Sequence, residues 1–341
     1  MEAKLISVVV PCYNEAATVP EFYRRIKAVA GSLQGRSFEF LFVNDGSSDH
    51  TGRVLNDLAS LDPRVRVIHL ARNRGHQIAL TAGIDHAAGD VIVTMDADLQ
   101  HPPEVIPDLI HALEQGHDIV HAQRRIRTGD SWFKLLTAKL FYLFMRFFSG
   151  VKLIENCGDF RAFTKPVQQT VIAFRTPHQF LRGTFVQVGF RQAVIQYDGE
   201  ARFGGETGYS LWKMVNLAID GVLGFSATPI RIITWLSLAL WAMSLIHLGV
   251  SLYDHFVSGI TVPGWTSIIT LMFFFTGLVL FSIAVIGSYV GRIFQQGQNN
   301  PLYWVCDLRN LPEDAPGKEG SPREVLLAQH VTKTSGAIDE G

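Results

Sequence analysis

Apolar and polar positions in the first third of the chain follow two periods in turn. Short β-rich runs at 5–10, 38–43, 65–70, 90–95 and 118–122 predict five strands. Between them, apolar residues recur at helical spacing over 17–33, 51–61, 77–88 and 103–115. Asp49 or Thr51 is placed to cap the second of these helices. Strands alternating with helices predict an α/β domain on a parallel sheet with helices on both faces. In such sheets ligands bind beyond the carboxyl ends of the strands. Three predicted strand ends carry polar clusters: Tyr13-Asn14-Glu15, Asn44-Asp45-Gly46 and Asp96-Ala97-Asp98.

The pattern changes in the second half. Residues 229–252 and 268–290 are runs close to the ~20 apolar residues that cross a bilayer, so they predict two membrane spans. His247, near one end of the first run, suits an interfacial or snorkelling position. No Lys or Arg occurs between Arg231 and Arg292, and the linking loop carries only Asp254. Lys213 and Arg231 precede the spans, and Arg292 and Arg309 follow them. The positive-inside rule then puts both termini in the cytoplasm. Residues 1–4 lead straight into the first strand, so no signal peptide is expected. The stretch 131–148 is aromatic and apolar but is broken by Lys134, Lys139 and Arg146. An amphipathic helix in the headgroup plane fits it, with a core helix of the soluble domain as the alternative. Residues 210–225 read as a second interfacial helix. The organisation is therefore a cytoplasmic domain (1–227), a two-helix membrane region (228–294) and a tail (295–341). The tail's Pro, Glu, Gly and Ser content beyond 311 predicts disorder, apart from a short helix at 324–330.

Composition supports the division between two solvents. Hydrophobic residues make up 48% of the 341, but charged residues only 18%. These values exclude a disordered chain, a collagen and a disulfide scaffold. A formal net charge of −1 supplies no global basic field for nucleic acid, so any phosphate binding must be local. Cys12, Cys157 and Cys306 have neither zinc nor CxxC spacing and read as reduced cytosolic thiols.

Candidate chemistry sits at the strand ends. Asp96 and Asp98, with Gln100, form a hard oxygen cluster suited to Mg²⁺ or Mn²⁺ bridging a diphosphate. An isolated Asp-x-Asp pair also reads as an ordinary surface turn; the place after a buried strand gives it weight. No Walker A or GxGxxG is present. The run 45–49 reads either as a polar turn before a capped helix or as an acceptor for a base or ribose.

The segments PCYNE, VNDGSSD, LARNRGHQIALTAGID, MDADLQHPPE, NCGDFRAF and RFGGETGYSLWKM occur in this order. Together they resemble family 2 glycosyltransferases of the GT-A (Rossmann-like) fold. The closer likeness is to the polyprenyl-phosphate glycosyltransferases, the dolichol-phosphate mannose synthase group with its bacterial GtrB-type relatives. The resemblance spans roughly 5–225, and the two spans match the bacterial membrane-anchored subgroup. It implies that Pro11, Tyr13, Asn14 and Glu15 line the nucleotide site, with Asp45 contacting the base and Asp49 in the same loop. It implies that Asp96, Asp98 and Gln100 hold the metal and donor diphosphate, and that Asp159 and Arg161 face the reaction centre. Arg124, Arg125 and Arg127 fall near the acceptor phosphate, where Lys134 adds charge, and Arg202 matches an arginine of a closing loop. Members of the group often carry Lys where this chain has Gly208, so this chain either uses another cation, with Lys213 and Arg202 as candidates, or does without it.

The implied reaction moves a sugar from a nucleotide donor, with UDP preferred and GDP an alternative, to polyprenyl (undecaprenyl) phosphate at the bacterial inner membrane. Such an acceptor has a second pKa near 6, so it is largely dianionic at pH 7 and needs no strong base. Direct attack inverts the anomeric centre. Two other readings stay open: a processive polysaccharide synthase, against which no Arg-Trp pair is found, and a non-catalytic membrane assembly partner. Relatives suggest a homotetramer, with the strand-like 302–305 as a contact.

Overall fold

Runs of Val, Ile, Leu and Phe without alternation are what strands buried on both faces require. β1 (Leu5–Cys12), β2 (Ser37–Asn44), β3 (Val65–Leu70) and β4 (Val91–Thr94) are such strands, paired in parallel in the order β4-β1-β2-β3. They are joined by α1 (Val19–Ser32), α2 (Thr51–Leu61) and α3 (His76–His86). A 3₁₀ turn (Pro103–Val105) then leads into α4 (Ile106–Glu114) and β5 (Ile119–Arg124). The periodicity located all of these within a few residues. The computed structural model describes residues 5–125, 157–174, 179–199, 228–253, 264–298 and 300–311, with 154 and 257. Both expected interfacial helices and the tail beyond 311 lie outside the described residues, as do Arg127, Lys134, Arg202, Gly208 and Lys213.

Beyond β5 the expectation of a parallel sheet is corrected. β6 (Cys157–Thr164) inserts between β4 and β5, antiparallel to both. After α5 (Lys165–Ala173) and α6 (Leu181–Gln187), β7 (Gln192–Tyr197) adds in parallel outside β5. The full order is β7-β5-β6-β4-β1-β2-β3-β8, a mixed sheet. The physical reason is that the pattern identifying a strand is the same in either direction, whereas direction depends on the connection.

Alternation along the central strands divides the core in two. Ile6, Val8 and Val10 of β1, and Phe38, Phe40 and Phe42 of β2, face α1, α2 and α4. Val9, Leu41 and Val43 face α3, α5 and α6. The result is an α/β/α sandwich.

The described residues fall into two compact units. The second contains α7 (Thr228–Tyr253) and α8 (Trp265–Gly297). Within α8, Phe274–Phe294 is the one stretch among the described residues long and apolar enough to cross a membrane. Large side chains such as Trp235, Met272 and Phe281 are exposed on these helices. At Pro301 the chain rejoins the first unit. β8 (Val305–Arg309) pairs antiparallel with β3 of the same chain, so this end of the tail closes a sheet edge.

Candidate active site

β4 ends at Thr94, and Asp96 follows at the carboxyl end of the sheet. The antiparallel register sets Arg161 of β6 opposite Thr94, and the Thr94 hydroxyl donates to the Asp159 carbonyl at 2.5 Å. Asp159 and Asp96 thereby share one end of the sheet. Asp159 is 1% exposed and accepts bonds from four side chains. His76 Nε2 donates to its Oδ2 at 3.2 Å and Gln77 Nε2 to the same oxygen at 3.0 Å. Arg161 Nη2 donates to Oδ1 at 3.2 Å, while Arg182 donates through Nε at 3.3 Å and Nη2 at 3.1 Å. His76 Nε2 also lies 3.4 Å from Asp96 Oδ1, and His101 Nε2 lies 3.3 Å from Asp96 Oδ2. His101 Nδ1 in turn pairs with the Tyr197 hydroxyl.

This arrangement sets the protonation states. Burial would raise the Asp159 carboxyl, but Arg182, the His76 hydrogen bond and Arg161 outweigh it and hold the group well below its usual range. Asp96 is lowered in the same way, against burial, by His76 and His101. Burial would lower His76, but Asp96 and Asp159 lift it to about 9. Burial brings Arg161 down to about 10, with Asp159 acting against that fall.

The Asp98-Leu99-Gln100 turn is strained. Leu99 has φ +62°, a conformation that a buried Leu adopts only when its surroundings impose it. Asp98 Oδ1 accepts the Gln100 N–H at 3.0 Å, and Gln100 Oε1 accepts Arg124 Nη1 at 3.3 Å. Arg125 is exposed and pairs with Asp198 at 3.1 Å. Among the described residues no group of three or more His, Cys, Asp or Glu side chains forms a metal cage. Asp96 Oδ1, however, is buried without a hydrogen bond. A divalent ion held by one or two carboxylates and completed by substrate phosphate and water fits this donor set.

A second group of predicted residues holds the loops after β1 and β2 together. Asn14, at φ +57°, accepts the Ser48 N–H at 2.9 Å, and its own N–H donates to Ser47 Oγ at 3.0 Å. Asp49 accepts the Thr51 and Ala16 N–H groups, and the Glu15 N–H donates to Thr51 Oγ1 at 2.8 Å. The His50 side chain at the N-cap makes no capping bond, and it is Asp49 Oδ1 that accepts the N–H of Thr51, the first residue of α2, at 2.9 Å. Pro11 is buried in β1, whereas Tyr13 is 48% exposed at the mouth of this region. Asp45 is buried, and its two oxygens accept the Arg74 and Gly75 N–H groups at 2.7 and 2.9 Å. Burial raises its pKa despite these bonds. Gly46 has φ +62°, and a Cβ there would lie 2.5 Å from the Asn73 nitrogen, so only glycine fits. Asp45 thus fixes the start of α3, whose first residues are His76 and Gln77.

His76, Gln77, His101, Arg182 and Tyr197 are the site residues that sequence reasoning left without a role. His76 and Gln77 were visible as a polar pair after Gly75, ahead of an apolar helix. Nothing local distinguishes Arg182 from a surface arginine.

The profile of glycosyl transferase family 2 matches residues 7–172. An uncharacterized glycosyltransferase of Bacillus subtilis, YkcC, is 38% identical over 88% of this chain and 92% of its own length. A prophage bactoprenol glucosyl transferase homologue of Escherichia coli is 36% identical over 88% and 98%. A prophage-derived bactoprenol glucosyl transferase of Shigella flexneri is 37% identical over 88% and 97%. On these likenesses, and on a mixed sheet whose strand ends gather the expected acidic motifs, the chain belongs to glycosyl transferase family 2.

Proposed function

We propose that the protein transfers a sugar, with inversion, from a nucleotide donor of UDP type to a polyprenyl phosphate at a membrane surface. The observation that carries this reading is the state of the site's carboxylates. A general base needs a pKa near the working pH. Asp159 and Asp96 are both held ionised well away from it, and His76 is held protonated. Neither of these two carboxylates is tuned to take a proton from a sugar hydroxyl. A phosphate monoester needs no such group, because it is already largely dianionic at pH 7. The names of the bactoprenol glucosyl transferases support the same acceptor.

Tyr13 offers its ring to the base, and Asp45 keeps acceptor capacity beyond its two amide bonds. Asp96 and Asp98 would hold Mg²⁺ or Mn²⁺, which when bound offsets charge on the departing diphosphate. Gln100 contributes by fixing Arg124 beside the acidic turn. Arg124 and Arg125, with Arg127 and Lys134, serve the acceptor phosphate, and Arg202 closes on the donor.

Chain connectivity supports two spans. The chain belongs to the first unit up to Gly208, apart from Leu136–Lys152, and again from Pro301, where β8 pairs with β3. Whatever crosses the bilayer between them must do so an even number of times, so a hairpin of α7 and α8 fits and one crossing does not. The Lys and Arg distribution supports a catalytic unit and termini on the cytoplasmic side.

Membranes holding the protein, incubated with a panel of nucleotide sugars and polyprenyl phosphate, test the reading by mass spectrometry of the lipid product. A polyprenyl-phosphate sugar formed from one donor, and lost with Asp98→Asn, is expected. No product from any donor would refute the enzyme reading, and full activity of Asp98→Asn would refute its metal dependence.

A further inference from the structure

The two oxygens of Asp96 stand in different surroundings. Oδ2 lies 3.3 Å from His101 Nε2. Oδ1 is buried without a hydrogen bond. His76 Nε2 lies 3.4 Å from that oxygen, but it gives its hydrogen to Asp159 Oδ2 at 3.2 Å. Oδ1 is therefore the oxygen of Asp96 with acceptor capacity to spare.

The group on Oδ2 is itself held in place. An ionised carboxylate only accepts hydrogen bonds, so His101 Nε2 carries the ring hydrogen towards Asp96. In the neutral ring Nδ1 is then an acceptor, and it pairs with the Tyr197 hydroxyl. Tyr197 is buried, and burial raises its pKa, so the hydroxyl keeps the proton it donates. Packing fixes both rings. The Phe160 centroid lies 5.5 Å from that of His101 and 5.7 Å from that of Tyr197. Gly158 leaves room for the imidazole, since a Cβ there would lie 3.3 Å from His101 Cε1. A line of hydrogen-bonding groups thus runs from Tyr197, the last residue of β7, through His101 to the carboxylate beyond β4. Phe160 and Gly158 of β6 pack against its middle. Side chains that ligate metals are commonly oriented by outer partners of this kind.

We propose that His101 and Tyr197 are positioning residues for a divalent ion at this centre. His101 holds Asp96 by Oδ2 and so keeps Oδ1 available to the ion, while Tyr197 fixes the His101 ring. This role rests on the metal dependence proposed above.

The test measures Mn²⁺ affinity of the full chain in detergent, with and without UDP, from the free-ion signal in electron paramagnetic resonance. The variants are Tyr197→Phe, His101→Leu and the two combined. Tyr303→Phe, which loses a hydroxyl hydrogen bond outside the centre, is the control for a loss of stability alone. His101→Leu is expected to weaken Mn²⁺ by about 10–100-fold, the usual cost of removing a partner that orients a metal ligand. Tyr197→Phe acts one bond further out and should cost roughly three- to tenfold. The combined variant should bind no more weakly than His101→Leu, because Tyr197 acts only through that ring. Tyr303→Phe should keep the wild-type affinity. Wild-type affinity in Tyr197→Phe overturns the proposal, also where His101→Leu alone loses the ion, since His101 would then be a ligand itself. An equal loss in Tyr303→Phe would trace the effect to stability and overturn it as well. If His101→Leu does not fold, Tyr197→Phe decides alone. A wild-type chain that binds no Mn²⁺ in either condition sinks the metal reading, and this role with it.

Discussion

His76 bridges the two acids of the centre, and its pKa near 9 gives it a measurable signature. The folded value lies above the ordinary 6.5, so the native state binds this proton more tightly than the unfolded chain. The stabilisation is fully present below pH 6.5 and is lost as pH rises from there through 9. Thermal midpoints of wild type should therefore fall between pH 6.5 and 9 relative to those of His76→Asn. Parallel curves for the two proteins over that range would show that His76 does not carry the charge. Asp159 behaves oppositely: its lowered pKa gives stability that is present at neutral pH and lost only in acid. Residue types at this scale were partly legible. Asp96, Asp98, Asp159 and Arg161 could be singled out because they belong to motifs. Arg182, outside those motifs, could not, because its significance lies in which oxygen it approaches.

At the scale of elements, α3 shows how packing positions chemistry. It carries His76 and Gln77 at one end and lies against β1 and β2 along its length. Gly83 permits that approach, since a Cβ there would lie 2.2 Å from Val9 Cγ1 and 3.0 Å from Val43 Cγ2. Gly83→Ala is expected to destabilise the protein by about 1–3 kcal/mol through overpacking. Adding Val9→Ala should recover part of that loss, because it removes the opposing methyl groups. Strictly additive effects in chemical denaturation would contradict this account. The five leading strands and four leading helices were legible because each is a local pattern. Neither β6 nor its direction was among those readings. Antiparallel β6 is nevertheless what carries Asp159 to the side of Asp96, so the centre depends on the feature that periodicity could not supply.

At the scale of the whole molecule, the chain leaves the α/β unit, forms α7 and α8, and returns to it. The return segment is bonded in several places. The Tyr303 hydroxyl donates to Asp85 Oδ2 at 2.6 Å, the Ala71 N–H to the Trp304 carbonyl at 2.9 Å, and Asn310 Nδ2 to the Ala59 and Val65 carbonyls. Cys306 and Asp307 also line a cleft of about 450 Å³ with Asn44, Ser47, His69 and Arg72. Removing residues 301–341 would uncover the β3 edge, an aggregation hazard. Lower thermal stability and self-association in detergent are expected of the truncated chain by calorimetry and light scattering. Tyr303→Phe should lower stability by about 1.5 kcal/mol, the lower end for a hydrogen bond to a charged group. An unaltered truncation would show that β8 is dispensable.

The amino-acid sequence by itself determined the α/β alternation, the long apolar runs of the second half, and the acidic clusters at strand ends. Each depends on neighbours within a few positions, where side-chain period and solvent preference act directly. Only the tertiary structure decided that β6 runs antiparallel, that the chain returns after its apolar helices to close the sheet, and that Asp159 lies among His76, Gln77, Arg161 and Arg182. Those outcomes depend on which distant segments share hydrogen bonds and a common core, and no local period records that choice.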